Sequence, residues 1–170
     1  IPDNQPIWYQ KHMTHHLLPF MEKEWMNALR HCFLIRNPHA VLASYSKTRQ
    51  SVTLSDLGFM QQAELYDYVS NELGQVAPVI DSKDILENPH KIIEALCEVL
   101  DLPFSELMLS WKPGLRSTDG IWAKYWYDCV EQSTGFMPYK TQQWDYPEEL
   151  KAIALEAEPY YRKLYDKRLT

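Results

Sequence analysis

A parallel α/β sheet flanked by helices is the fold class this sequence predicts, and three observations predict it. Short apolar runs bounded by charge alternate with stretches whose apolar residues recur every three or four positions, the alternation expected of strand-helix units. Two Asn-Pro pairs, Asn37-Pro38 and Asn88-Pro89, each open a helical pattern with a capping residue and a proline at the first helical position. The chain has 170 residues, 45% hydrophobic and 24% charged, which is enough for one core, so a single domain over residues 1–170 is expected.

The elements run in this order. Ile7 to Lys11 (IWYQK) is short and aromatic-rich after Pro6, and Cys32 to Ile35 (CFLI) is a continuous apolar run; both read as strands buried in a parallel sheet. Asn37-Pro38 then starts a helix with Val41, Leu42 and Tyr45 on its apolar face. Ser55-Asp56 precedes a second helical stretch, carried by Phe59, Ala63, Tyr66 and Val69 until Gly74 stops it. Val76 to Ile80 is a third strand, made short or placed at an edge by Pro78. After an acidic loop, Asn88-Pro89 opens an amphipathic helix through Ile92, Ile93, Leu96, Cys97 and Leu100, which ends before Pro103.

Beyond Phe104 the pattern is less regular. Ser105 to Trp111 reads as helical, Pro113-Gly114 and Asp119-Gly120 mark a long loop, and Trp122 to Val130 reads as a short aromatic helix. Pro147 to Leu169 has the acidic start and basic end of a terminal helix aligned with its dipole, with Pro159 expected to kink or split it.

Composition excludes several classes. A formal charge of −6 argues against a nucleic-acid or anionic-membrane partner, since such binders need a basic excess to displace counterions. No apolar run approaches the roughly 20 residues that span a bilayer. Cys32, Cys97 and Cys129 are odd in number, far apart and without a CxxC pair, so neither a disulfide framework nor a zinc site is expected, and a reducing cytoplasm fits best. The chain opens Ile1-Pro2-Asp3 without an initiator Met and is expected to be a fragment.

Phe33-Leu34-Ile35-Arg36-Asn37-Pro38 puts an arginine at the carboxyl end of a strand directly before a helix N-terminus. In open α/β sheets ligands bind there, and free N–H groups with the helix dipole favour an anion. A guanidinium grips phosphate through paired hydrogen bonds, and Ser44, about two turns on, adds a hydroxyl. The competing reading is that Arg36 pairs with a carboxylate and Ser44 is an ordinary helix residue.

The stretch IRNPHAVLASYSK resembles the 3′-phosphate motif of sulfotransferases that use 3′-phosphoadenosine 5′-phosphosulfate (PAPS), with Arg36 and Ser44 at the matching positions. The run from Val79 to Pro89, its helix, and Asp101-Leu102-Pro103-Phe104 are similar to the strand, acidic loop, Asn-Pro and helix that sulfotransferases carry after that motif. Trp111 to Trp122 resembles the loop that closes on the donor, which implies donor contacts by Lys112, Arg116 and Trp122, although the order of residues departs from the family's. The segment from Lys11 to Pro19 stands where the family has its base, which implies His15 or His16 as the base and Lys11 as the cation on the bridging oxygen.

The resemblance implies the P-loop nucleotide-binding fold with its N-terminal part absent. It covers the later two-thirds or so of that fold, and the Gly-rich phosphate loop is missing from the sequence. It further implies transfer of a sulfuryl group from PAPS to a hydroxyl or amine of a small-molecule acceptor, with no metal. Competing readings remain at each point. The histidines are also candidates for a metal site or for structural hydrogen bonds at a strand end. The aromatics Trp122, Tyr125, Trp126, Tyr127, Phe136 and Tyr139 suit a ring-stacking pocket or core packing. The whole chain is alternatively a non-catalytic nucleotide-binding or protein-interaction module. A homodimer is compatible with the apolar surface that a missing strand and helix would leave.

Overall fold

Phe33–Ile35 forms β1 and Val79–Asp81 forms β2, and the two pair in parallel with Phe33 opposite Val79, Leu34 opposite Ile80 and Ile35 opposite Asp81. The computed structural model describes residues 7–47, 49, 51–116, 131–141, 144 and 146–170. Six α-helices accompany the sheet among the described residues: α1 Pro38–Tyr45, α2 Leu54–Leu57, α3 Phe59–Asp67, α4 Ser82–Glu87, α5 Pro89–Val99 and α6 Lys151–Tyr165. The parallel α/β class is therefore observed.

β1 is shorter than the apolar run that encodes it and is buried on one face only, since Leu34 is 56% exposed between buried Phe33 and Ile35. β2 is buried throughout. It is short but not an edge: the backbone of Arg168 bridges Val79 on its far side, and the Leu169 N–H reaches the Val79 carbonyl at 2.8 Å. Pro78 lacks a donor, yet its carbonyl takes the Phe33 N–H at 2.9 Å and starts the ladder.

Ile7 to Lys11 is not a strand. Ile7, Trp8 and Tyr9 are 50%, 53% and 78% exposed, and no strand pairs with them among the described residues. Aromatic β-propensity without a neighbouring ladder does not make a strand.

Both Asn-Pro starts form as read. The Asn37 side chain accepts from the His39 N–H, and that of Asn88 from the Lys91 N–H. The stretch expected as one helix from Ser55 to Gly74 is divided. Thr53, not Ser55, is the cap, in a capping box with Asp56. Gly58 takes a left-handed φ of 72° between α2 and α3, and a π-helical turn, Tyr68–Glu72, follows α3. The expected acidic loop before Asn88 is α4, which Asp81 caps by accepting from the Lys83 N–H. The helix expected from Ser105 to Trp111 is one 3-10 turn, Glu106–Met108.

Pro159 does not split α6, which is continuous. Leu155, whose carbonyl the proline leaves without its usual donor, lies with Pro159 on the exposed side; solvent can take that bond. The opposite side carries Ala154, Ala157, Tyr161 and Leu164, all buried. Ala157, Tyr161 and Leu164 join Ile35, Val69 and Val79 in the main core, while Ala154 meets Leu42 and Val52 in a second cluster. α6 thus packs on α3 and α1 and backs the β1–α1 unit. The aromatic helix expected over Trp122 to Val130, and Cys129 within it, lie outside the described residues.

Candidate functional site

Arg36 leaves the sheet at the carboxyl end of β1, one residue past the Ile35–Asp81 pair. It is exposed, and no carboxylate pairs with it among the described residues. Ser44, in the last turn of α1, is also exposed and makes no hydrogen bond among them. The eight residues of α1 span about 12 Å at the rise of an α-helix, so Arg36 and Ser44 stand at opposite ends of one helix.

The helix N-terminus keeps only part of its set of amide donors. Pro38 has no N–H, and the Asn37 Oδ1 already accepts from the His39 N–H at 2.9 Å. The Asn37 and Ala40 N–H groups have no acceptor among the described residues, so two backbone donors remain beside the exposed Arg36.

Two neighbouring groups that do not stand out in the sequence meet at this end. His39 Nδ1 is hydrogen-bonded to the Tyr146 hydroxyl, with the rings stacked at 6.1 Å between centroids. Burial pushes the Tyr146 hydroxyl pKa up, so the tyrosine stays protonated at neutral pH and can donate to the imidazole. This contact ties the segment before α6 to the first turn of α1.

His15 and His16 occupy a 3-10 turn, Thr14–His16, with their rings edge to face at 4.4 Å. The turn is seated on the α2–α3 junction, where the Thr14 hydroxyl donates to the Gly58 carbonyl at 3.0 Å. His15 is half-buried there, and its pKa is lowered by burial, then by the charges of His16 and Arg49, against an opposing pull from Asp56. Asp56 is itself held below the usual carboxylate range by its hydrogen bonds with Thr53. Arg49 follows α1 and lies over the Tyr45 ring at 5.7 Å. The charge of Arg49 thus links the histidine turn to the end of α1 that carries Ser44. Lys11 is exposed in the irregular segment before the turn. His12 lies in a tilted ring contact with Trp25, 5.6 Å between centroids. No group of three or more His, Cys, Asp or Glu residues suited to a metal occurs among the described residues.

Lys112 and Arg116 are exposed on a loop that is pinned to a later segment. Trp111 N–H donates to the Thr134 carbonyl at 3.0 Å, and Gly114 N–H to the Glu131 carbonyl at 2.7 Å. Phe136 packs edge-on against Trp111 and joins the Ile80, Ile85 and Ile92 cluster, so its role is core packing. Tyr139 lies under the Lys83 ammonium at 5.6 Å. Trp122, with Tyr125, Trp126 and Tyr127, lies outside the described residues.

The sequence model of the sulfotransferase domain matches residues 3–165. This chain belongs to the sulfotransferase domain family. Two Arabidopsis thaliana proteins are similar to the domain. Branched-chain-amino-acid aminotransferase-like protein 1 is 34% identical over 139 residues, 82% of this chain and 25% of that protein. Branched-chain-amino-acid aminotransferase-like protein 2 is 31% identical over 135 residues, 79% and 24% of the two chains. The sulfotransferase domain therefore spans about a quarter of the length of these curated relatives. No solved structure matches it. Among the described residues no helix is long and apolar enough to cross a membrane.

Proposed function

We propose that this sulfotransferase domain binds PAPS, with Arg36 and Ser44 on the 3′-phosphate, and passes the sulfuryl group to a hydroxyl or amine of a small-molecule acceptor. The observation that carries the reading is the state of Arg36: a solvent-facing guanidinium at the carboxyl end of a parallel strand, with no carboxylate against it among the described residues. An arginine left this way is ready to pair with an incoming phosphate. Ser44 shares that phosphate when the Arg36 side chain lies along α1. Lys112 and Arg116 supply further positive charge from their loop, and Trp122 stacks on the donor.

In this reading His15 takes the proton of the acceptor hydroxyl as its oxygen forms a bond to sulfur. The bond from sulfur to the bridging phosphate oxygen breaks in line with it. Lys11 neutralises the charge that gathers on that oxygen, and His16 is the alternative base. His15 suits the task because burial keeps it neutral to a lower pH than an ordinary histidine.

Calorimetric titration with 3′,5′-diphosphoadenosine tests the reading. Arg36→Ala is expected to weaken binding about 10- to 100-fold, the range for losing charge-assisted hydrogen bonds, and Ser44→Ala less. Equal affinity in wild type and Arg36→Ala overturns the phosphate assignment. Binding without sulfuryl transfer by the full-length protein would instead favour a non-catalytic nucleotide-binding module.

A further inference from the structure

Three groups that carry or take up positive charge gather beyond the end of α1 that carries Ser44. Arg49 stands one turn past Tyr45, its N–H 3.0 Å from the Tyr45 carbonyl and its guanidinium 5.7 Å from the centre of the Tyr45 ring. His15 and His16 lie edge to face at 4.4 Å on their 3-10 turn, and the charges of His16 and Arg49 both reach His15. His16 and Arg49 are exposed and His15 is half-buried, so the cluster opens to solvent. Asp56 is the carboxylate whose charge reaches His15 and Arg49. Its Oδ2 takes the Thr53 N–H at 2.8 Å and the Thr53 hydroxyl at 2.7 Å, which commits it to the capping box of α2. Neither Arg49 nor the two histidines has a carboxylate in ion-pair contact among the described residues. In a chain of formal charge −6, this is a local excess of positive charge short of a counter-ion.

We propose that Arg49 and His16, beside His15, form a second anion site that takes an acid group of the acceptor, so that the acceptor is a hydroxyl or amine compound bearing a carboxylate, phosphate or sulfate as well. This rests on the reading that His15 is the base, because the reacting atom of the acceptor then lies at His15 and its neighbouring groups lie at Arg49 and His16. An oxyanion pairs with the Arg49 guanidinium through parallel hydrogen bonds and accepts another from a His16 N–H. An uncharged acceptor leaves these cations facing one another with no counter-charge. The turn needs no ligand to form, since the bond from the Thr14 hydroxyl to the Gly58 carbonyl already holds it on the α2–α3 junction; little ordering is left for the anion to offset.

The site also bears on the chemistry of the base. With no anion present, burial first, and then the charges of His16 and Arg49, hold the His15 pKa below its ordinary value, against the opposing pull of Asp56. An anion on Arg49 cancels part of that push, so His15 becomes a stronger base when an acidic acceptor is seated beside it. The phosphosulfate of the donor has the same anionic chemistry as an acid group on the acceptor, and the two sources separate by experiment.

Proton NMR of the His15 ring against pH, in sodium sulfate and in sodium chloride of equal ionic strength, tests the site on the whole chain. Sulfate is expected to raise the His15 pKa by about half a unit to one unit more than chloride does. That excess should survive in Arg36→Ala, vanish in Arg49→Ala and return in part with Arg49→Lys. Arg49 is exposed, so both of its variants keep the fold. Equal responses to the two salts in wild type, or a full sulfate response in Arg49→Ala, overturn the site. Loss of the response in Arg36→Ala puts the anion at Arg36 and overturns it as well. Saturating 3′,5′-diphosphoadenosine then separates the sources. The sulfate response is expected to persist beside the bound nucleotide, as it must if an acceptor is to use the site. If the nucleotide itself produces the Arg49-dependent shift and blocks sulfate, the site is the donor's and the acceptor assignment falls. Nucleotide affinity that is unchanged in Arg36→Ala, alongside an intact sulfate response, overturns the phosphate assignment and leaves the second anion site standing.

Discussion

The Thr14 hydroxyl donates a 3.0 Å hydrogen bond to the carbonyl of Gly58. That contact sets the histidine turn against a glycine whose φ is 72° and whose added Cβ would stand 2.7 Å from Thr14 Oγ1 and 3.3 Å from the His15 nitrogen. Gly58→Ala therefore combines left-handed strain with displacement of the turn, and should destabilise by about 2 to 3 kcal/mol. Gly74 is the control, since its φ is 62° but nothing lies within 4 Å of an added Cβ. Gly74→Ala should cost only about 1 kcal/mol. Denaturant melts of the two variants check this, and equal losses would show that the approach of Thr14 and His15 to Gly58 is not tight.

Leu42 is fully buried between α1 and α6, in a cluster with Val52 and Ala154. Leu42→Ala should cost about 3 kcal/mol, because the lost transfer free energy is joined by a cavity that two packed helices close only partly. Since α1 runs from Arg36 to Ser44, the same variant should weaken nucleotide binding without touching either residue. Urea melts and the diphosphoadenosine titration together check this; unchanged affinity in a destabilised but folded protein would separate α1 packing from the site.

The local half of this structure was legible in the sequence and the long-range half was not. Asn37-Pro38 and Asn88-Pro89 announce α1 and α5 because a cap and a first-turn proline are chemistry of adjacent residues. Asp81 with Asp84 carried a similar signal for α4, but the helix is six residues long and ends at the next Asn-Pro, so it read as a loop. Ile7 to Lys11 had strand composition, and only pairing makes a strand. Arg36 and Ser44 were visible because one strand-turn-helix holds both. His39 with Tyr146, and Asp81 with Tyr161, join residues 107 and 80 positions apart, and one sequence contains nothing that brings them together.

Stability should depend on pH through Asp81. Burial, opposed by the bonds from Lys83 and Tyr161, raises its pKa above the ordinary 3.8. Between those two values the folded chain retains a proton that the unfolded chain has released. The neutral carboxyl's contribution is thus complete below about 3.8 and declines as pH rises through the folded value, then levels. Asp81→Asn has no proton to lose, so its stability relative to wild type should increase across that window and stay constant above it. Urea unfolding at a series of pH values checks the sign; a difference that is flat with pH, or that runs the other way, contradicts it.

His15 should titrate below the ordinary histidine value of 6.5, since burial leads, and the charges of His16 and Arg49 add to, a downward shift that Asp56 only partly opposes. Arg49→Ala removes a cation that disfavours the imidazolium and should raise the His15 pKa, whereas Asp56→Asn removes the carboxylate that favours it and should lower the pKa further. Asp56 is held ionised by its Thr53 hydrogen bonds, so its charge persists throughout the histidine range. With a depressed folded value, the stability His15 contributes is present above about pH 6.5 and is lost as pH falls through that folded value. Proton NMR of the His15 ring against pH reads both variants directly. Opposite shifts in the two variants identify Arg49 and Asp56 as the charges that set this histidine. Shifts in the same direction, or none, would leave burial on the Gly58 turn and the neighbouring His16 charge as the causes and remove Arg49 from any part in keeping His15 a neutral base.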